Sequence, residues 1–372
     1  MTESEHRIDS IETRSYRQPL DPPLHAAWDP EPRTALNLHV VIVRAGEYEG
    51  VAGGEHPAGL DDYKSLFIGK DPFEIERHVQ VLDNLQFHSG RMWALEVALW
   101  DLMGKIENEP IWRMLGGVDG TVPLYASTGQ RMAARDRVAS VLHLQDSGFP
   151  AAKLRFWSDD PHDDLEIVRQ VRAAVGDDME LLVDANQAWR MPRDSSPSWD
   201  LQTASWVGKE LDELGVYWLE EPLHRHDYRG LAELRRGLRL KIAGGEGNRE
   251  FAEFEEYITH GSLDVYQADV AWTTGIYRAK QLAERVAAAG ALYTPHTWGD
   301  GLVLLANLQV AAACANARFV EFPFDPPFWP PKARDFMLAS PTEAIDGHVT
   351  LSDRPGLGAQ IDWAAIEPLR TA

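Results

Sequence analysis

The strongest constraint in this chain is a recurrence. From residue 120 onward, short apolar segments return at regular spacing: VPLYAS (122–127), AAKLRF (151–156), ELLVDAN (180–186), VYWLEEP (216–222), KIAGGEG (241–247), VYQADVA (265–271), ALYTPHT (291–297) and RFVEFPF (318–324). Each has the length and composition of a β-strand. Amphipathic stretches such as LEIVRQVRAAVG (165–176) and TGIYRAKQLAERVAAAG (274–290) fill most of the gaps. Strand–helix units of about 25–35 residues imply right-handed βαβ crossovers and a parallel sheet. Eight such strands fit a TIM-type barrel better than an open sheet.

The chain before residue 119 has another rhythm. Residues 34–48 alternate in a strand pattern, residues 20–33 read as a Pro-rich loop carrying Trp28, and residues 51–59 as a Gly-rich turn. A helix is predicted over 72–89, with Asp71 as N-cap and Pro72 in the first turn. A second, over 91–105, is apolar on most faces and therefore buried. Gly116 and Gly117 close this part. Residues 1–118 thus read as an α+β domain and 119–339 as the barrel. The segment 340–372 is expected to return to the N-terminal domain. The expected class is α/β.

Net charge is −22, which argues against a nucleic-acid partner, since phosphate contacts need a basic surface. A small anionic substrate stays compatible, because local cations or a metal can reverse the field inside a cleft. One cysteine, Cys314, excludes an intrachain disulfide. The start, MTESEHRIDSIETRS, has no apolar core, and no stretch reaches the roughly 18–20 apolar residues that cross a bilayer. These features read as a soluble, cytoplasmic chain with no membrane partner.

Most of the recurrent strands end in a polar residue that an apolar core could not bury unpaired. In order these are Lys153 and Arg155, Asp184 and Asn186, Glu220, Glu246, Asp269, His296 and Glu321. Each step is about one strand–helix unit, so the groups gather at the C-terminal rim, where barrel enzymes assemble their chemistry. A single acid there is as often a helix cap, but three on successive strands with flanking cations are not explained that way. Asp184, Glu220 and Glu246 are hard oxygen ligands without Cys or His, which favours Mg²⁺, with Mn²⁺ as a substitute. Lys153 and Arg155, two apart on one strand, share a face and supply positive charge. Asp269 and His296, one barrel unit apart, suit a carboxylate–imidazole dyad for general acid/base work. Glu321 either hydrogen-bonds a substrate carboxylate when protonated or pairs with Lys or Arg.

Taken together, KLR (153–155), VDANQAW (183–189), WLEEP (218–222), GGEGN (244–248), QADVAWTTG (267–275), PHTWGDGL (295–302) and EFPFD (321–325) resemble the mandelate racemase-like subgroup of the enolase superfamily. ALEVALWDLMGK (94–105) and MLGG (114–117) match as well. The resemblance implies an N-terminal α+β capping domain on a (β/α)7β modified TIM barrel, and a homo-oligomer. It implies Asp184, Glu220 and Glu246 as Mg²⁺ ligands, Asp269–His296 as the acid/base dyad, and Glu321 as an enolate stabiliser. Glu220 is chosen over Glu221 because the family's ligand is the first acid of the pair.

There is one departure. The second basic residue is commonly Lys in this subgroup and here is Arg155, whose guanidinium is a poor general base. A racemase needs an acid/base on both faces of the α-carbon, whereas a dehydratase can work with His296 alone. The expected reaction is therefore loss of water from an acid sugar to give a 2-keto-3-deoxy acid. A racemase or epimerase of a 2-hydroxy acid is the alternative, and a catalytically silent ligand-binding barrel is a third reading. Absence of a Lys on the strand of Asp269 counts against a muconate-type cycloisomerase. Trp28 and His56 from the cap loops, with Asn186, Arg190 and Trp298 beside site residues, are candidate substrate contacts.

Overall fold

A computed structural model describes residues 6–371. The first five residues of the charged start, and Ala372, lie outside the described residues. Three antiparallel strands open the chain: β1 (Ser10–Leu24), β2 (Arg33–Ala45) and β3 (Tyr48–Gly54). Four helices follow: α1 (Leu60–Tyr63), α2 (Ile75–His88), α3 (Trp93–Glu107) and α4 (Ile111–Met114).

The strands alternate as a two-faced sheet must. Leu38, Val40 and Ile42 pack on one side with Met337 and, from the C-terminal segment, Ile366, while Val41, Val43 and Ala45 pack with the helices on the other. α3 is buried on every side from Trp93 to Gly104, because the sheet covers one flank and the barrel the other. β3 approaches it closely: a Cβ on Gly50 would lie 2.2 Å from the Ala98 carbonyl oxygen.

Three expectations are corrected in this region. Residues 20–24 belong to β1, with Leu24 paired to Arg33 across an irregular register, so the loop is shorter than predicted. Residues 51–54 belong to β3, since paired backbone outweighs the weak strand propensity of glycine. The helix begins at Ile75, not 72; Asp71 instead accepts from the Phe73 N–H in the turn ahead of it.

The barrel alternates strand and helix: β4 (Thr121–Ser127), α5 (Ala134–Asp146), β5 (Ala151–Arg155), α6 (Pro161–Val175), β6 (Glu180–Asp184), α7 (Leu201–Glu213), β7 (Trp218–Glu220), α8 (Tyr228–Gly237), β8 (Lys241–Gly244), α9 (Phe251–His260), β9 (Val265–Tyr266), α10 (Gly275–Ala288), β10 (Leu292–Tyr293), α11 (Gly301–Ala312) and β11 (Val320–Pro323). This is (β/α)7β. The parallel ladder runs β10-β9-β8-β7-β6-β5-β4-β11. Between β10 and β11 side chains take over, with the Thr297 hydroxyl donating to the Glu321 carbonyl at 2.7 Å.

α12 (Pro331–Arg334), β12 (His348–Thr350), α13 (Trp363–Ile366) and β13 (Arg370–Thr371) complete the chain. β13 pairs with β1 of the cap sheet, while β12 pairs with β4 of the barrel, so the last segment touches both parts. Cap and barrel are also fastened directly. Glu96 on α3 accepts the N–H groups of Ile276 and Tyr277, orphan donors of the first turn of α10. Gly275 permits this: its φ is +71°, and a Cβ there would sit 2.8 Å from the Glu96 carboxylate. Among the described residues no helix is long and apolar enough to cross a membrane.

Candidate active site

The pleat of the barrel strands builds the site in layers. Tyr125, Ala151, Leu182, Trp218, Ala243, Val265 and Phe319 form an apolar plug inside the barrel. Two residues further along, the same face carries Ser127, Lys153, Asp184, Glu220, Gln267 and Glu321. Parallel register places Arg155 beside Asp184 and Asp184 beside Glu220. Glu246, Asp269 and His296 lie two to three residues beyond the ends of β8, β9 and β10, so the expectation that each sits at its strand's end is corrected. At Asp269 the chain has already turned into a short π-helical segment, Val270–Thr274, which the Asp269 side chain caps through the Ala271 N–H.

Asp184, Glu220 and Glu246 each present an oxygen within 4.8 Å of the other two. All three are buried. Burial pushes each carboxyl above its usual range, against the pull of Arg155, Lys153 and His296 respectively. Glu246 Oε2 is buried without a hydrogen-bond partner, and its Oε1 accepts from the Trp189 indole at 3.2 Å. With Glu321, four buried carboxylates face two buried cations, Lys153 and Arg155. The excess negative charge and the unpartnered oxygen suit a divalent cation of the Mg²⁺ type.

Lys153 is fully committed: its ammonium lies 2.8 and 3.0 Å from the Glu220 oxygens and 2.8 Å from Glu321. Burial alone would lower it, but Glu220 and Glu321 hold it above its ordinary value. Arg155 donates to Asp184 at 2.5 Å and to Glu321 at 3.3 Å. Its guanidinium lies 4.5 Å from the Trp28 ring centre and 5.3 Å from that of Trp298. Glu321 also accepts from Ser127 at 2.6 Å and from the Thr297 N–H at 2.8 Å. Burial pushes Glu321 up, but Lys153, His296 and Arg155 overcome it and hold the carboxyl well below the usual range. Of the two alternatives for Glu321, the pairing with Lys and Arg is the one present.

His296 faces this wall from the other side. Its Nδ1 lies 3.0 Å from Asp269 Oδ2, while Nε2 lies 3.7 Å from Glu246 and 4.0 Å from Glu321. Trp272 stacks on the imidazole, 9° from parallel at 5.4 Å. Burial lowers the imidazole, but Glu246, Glu321 and Asp269 together raise it to about 9.

The comparisons with known proteins agree with this layout. Residues 136–365 match the family described as enolase C-terminal domain-like, and residues 34–116 match the mandelate racemase / muconate lactonizing enzyme N-terminal domain. The chain belongs to the mandelate racemase / muconate lactonizing enzyme family. It falls in the mandelate racemase-like subgroup of the enolase superfamily. A D-galactarolactone cycloisomerase of Agrobacterium fabrum is 27% identical over 98% of this chain and 99% of its own. An arabinonate dehydratase of Saccharolobus solfataricus is 31% identical over 74% of this chain and 70% of its own. The crystal structure of D-glucarate dehydratase from Agrobacterium tumefaciens, complexed with magnesium, superimposes with a TM-score of 0.85 at 26% identity, covering 99% of this chain and 100% of that one.

Within this family member, the candidate contacts separate. Trp28, Arg190 and Trp298 line a cavity of about 500 Å³ together with Arg155, Glu246 and His296. The cap loop bearing Trp28 is fastened to the barrel: the Ala27 N–H donates to Gly129 O at 2.8 Å, and the Arg131 guanidinium donates to the Asp29 carbonyl at 2.8 Å. Arg190 braces the loop after β6, donating to the Asn186 carbonyl at 2.6 Å and to Gln187 Oε1 at 2.7 Å. Asn186 lines a neighbouring cavity, and its side chain bonds Arg155 and the Phe156 carbonyl. His56 packs on His39 and lines a third cavity shared with Asp269. Glu221 stays outside the carboxylate trio. It and Asn186 have φ of +48° and +51°, sharp departures from the strands just past two of the acids.

Sequence reasoning missed Trp189, Trp272, Ser127, Thr297 and the Arg91–Glu55 pair at the rim. Trp189 and Trp272 do sit inside the motifs VDANQAW and QADVAWTTG, which was their only signal. The Arg91 guanidinium donates to the Trp272 carbonyl at 2.7 Å and to Glu55 at 2.9 Å, tying the cap to the turn that carries the indole.

Proposed function

We propose that this chain abstracts the proton α to a carboxylate and eliminates water from an acid sugar, giving a 2-keto-3-deoxy acid. One observation carries the reading. Among the described residues lining the cavity, His296 is the one histidine, and no lysine lines it. The proton-transfer equipment is therefore one-sided, which a dehydration tolerates and a racemisation does not.

Asp184, Glu220 and Glu246 would hold a divalent ion of the Mg²⁺ type. When bound, that ion supplies Lewis-acid stabilisation of negative charge developing on the substrate carboxylate. Glu246 is the foremost of the carboxylates that raise His296, so its engagement with a cation would leave the imidazole freer to give up and accept a proton. Asp269 holds Nδ1, leaving Nε2 to take the C2 proton. The electron pair left on C2 delocalises into the carboxylate, whose charge is met by Arg155 at the cavity wall and by the field of Lys153 behind it. Both are pre-positioned and dry, so no reorganisation is needed as charge develops. His296 returns the proton to the 3-hydroxyl as its C–O bond breaks; water departs and the enol tautomerises. Glu321 keeps Lys153 and Arg155 in place.

A second reading has a specific observation behind it. A relative that spans nearly the whole chain is a cycloisomerase, and the argument from the strand of Asp269 bears on the muconate type alone. The same α-proton abstraction would serve expulsion of a ring oxygen in an acid-sugar lactone. A Mg²⁺-dependent screen of acid sugars and their lactones separates the readings. Dehydration yields a semicarbazide-reactive product 18 mass units lighter, about the mass of one water; ring opening leaves the mass unchanged. In D₂O, an epimerase returns deuterated substrate and no keto acid. Absence of keto acid, of ring opening and of C2 exchange with every acid sugar and lactone would leave only the silent-barrel reading.

A further inference from the structure

The cavity in front of the carboxylates is rich in arginine although the chain as a whole carries −22. Most of its guanidiniums have a carboxylate of their own. Arg33 pairs with Asp29, Arg91 with Glu55, Arg155 with Asp184, and Arg190 lies 3.6 Å from Asp194. Arg225 and Arg249 are different: among the described residues neither has a carboxylate within ion-pair distance.

The two belong to the loops that directly follow two of the metal-type ligands, Glu220 on β7 and Glu246 beyond β8. One buried side chain holds both loops. Tyr257 of α9 donates its hydroxyl to the Arg225 carbonyl at 2.7 Å, and the same oxygen lies 3.1 Å from the Asn248 side-chain oxygen. The Arg225 side chain is half-buried, and its Nε–H is buried without an acceptor. Its other recorded contact is a 3.5 Å approach to the Ala188 carbonyl. A buried guanidinium N–H without an acceptor is costly, and the usual compensation is a carboxylate or phosphate oxygen. Arg249 stands exposed at the rim, within electrostatic reach of the Arg91–Glu55 pair.

We propose that Arg225 and Arg249 are specificity-determining residues that hold a second carboxylate at the far end of the substrate, so that the preferred acid sugar is a dicarboxylate. The inference rests on the acid-sugar reading above and adds the terminal group. The substrate's first carboxylate faces the Asp184–Glu220–Glu246 trio, and its chain spans the cavity. The two planar forks then close on the distal carboxylate from adjacent barrel loops.

The test compares six-carbon aldarates, the aldonates of matched stereochemistry, and the corresponding 6-phosphoaldonates, in the Mg²⁺-loaded full chain. Turnover is read alongside binding of adipate, an unreactive dicarboxylate, by tryptophan fluorescence. The wild type is expected to favour aldarates over aldonates by at least about tenfold in kcat/KM. In Arg225→Met and Arg249→Met that ratio falls about tenfold or more, through KM rather than kcat, and adipate binding weakens in parallel. Arg225→Lys and Arg249→Lys should recover part of the ratio, which a purely structural role would not predict. Equal use of aldonates and aldarates leaves the proposed reaction standing and overturns this inference. So does a ratio unmoved in both Met variants. Preference for the phosphorylated acids overturns the carboxylate assignment, and a chain that neither binds nor turns over any acid sugar overturns both readings.

Discussion

The two walls of the cavity differ in what their protons are free to do. On the β5 strand both cations at the foot of the cavity are spoken for. Lys153 serves Glu220 and Glu321, and Arg155 serves Asp184 and Glu321 while packed against two indoles. On the β9–β10 wall, His296 commits one nitrogen to Asp269 and leaves the other facing the carboxylates at 3.7 and 4.0 Å. In the proposed reaction the first wall acts as a fixed field and the second as the proton carrier. Replacing the subgroup's common Lys by Arg155 removes a carrier without removing a charge.

The sharpest way to break this contrast is to remove a ligand from the fixed wall. Glu220→Gln and Glu246→Gln are expected to abolish turnover, with losses of roughly 10³-fold or more, and to weaken Mg²⁺ binding in a direct titration. Full activity in Glu246→Gln at saturating Mg²⁺ would remove it from the ligand set. His296→Asn attacks the other wall. C2 exchange in D₂O should fall by about 10²–10⁴-fold while Mg²⁺ affinity stays near wild type. Loss of metal binding in that variant would mean the walls are not separable.

Arg155→Lys sharpens the comparison by restoring a titratable amine. Dehydration should drop about tenfold as the planar fork and its indole packing are lost. A trace of epimerised substrate, visible by NMR, would show that the amine can act from the opposite face.

The proposed proton carrier also has a pH signature. In metal-free protein the His296 imidazole should titrate near pH 9 by NMR, above the ordinary 6.5. Its folded value is raised, so the stabilisation is full below the unfolded value and is lost as pH rises through about 9. Melting of the metal-free chain should accordingly weaken between those limits by on the order of 2–3 kcal/mol. A flat stability profile in that window would contradict the charge arrangement around the ring. The smallest effect on catalysis is expected away from both walls. Glu96→Ala leaves two buried N–H groups of α10 without acceptors and should cost about 1–3 kcal/mol in urea unfolding, with kcat close to wild type.

Much of this was legible in the chain. The β4–β11 strands could be read because each is a local apolar run. Their polar ends could be read because a buried carboxylate at a strand end is locally conspicuous. Lys153, Asp184, Glu220 and Glu321 come together because the two-residue pleat lifts each above the same apolar plug. The errors fell where long-range pairing decides. Residues 20–24 and 51–54 look like loops by composition, yet each finds a partner strand. Asp269 and His296 lie past strands only two residues long, because helical turns and side-chain hydrogen bonds take over from the ladder there.

By itself, the sequence determined the barrel, its cap and the identity of the charged groups at the rim, since periodicity and residue type are local properties. Tertiary structure alone decided which charges neutralise one another and which remain available. That Arg155 is locked between Asp184, Glu321 and two tryptophans, that Trp272 lies flat on His296, and that Tyr257 gathers the Arg225 and Arg249 loops all depend on residues far apart in the chain. Electrostatic partnership depends on distance through space and on exclusion of water, and neither is written in the order of the residues.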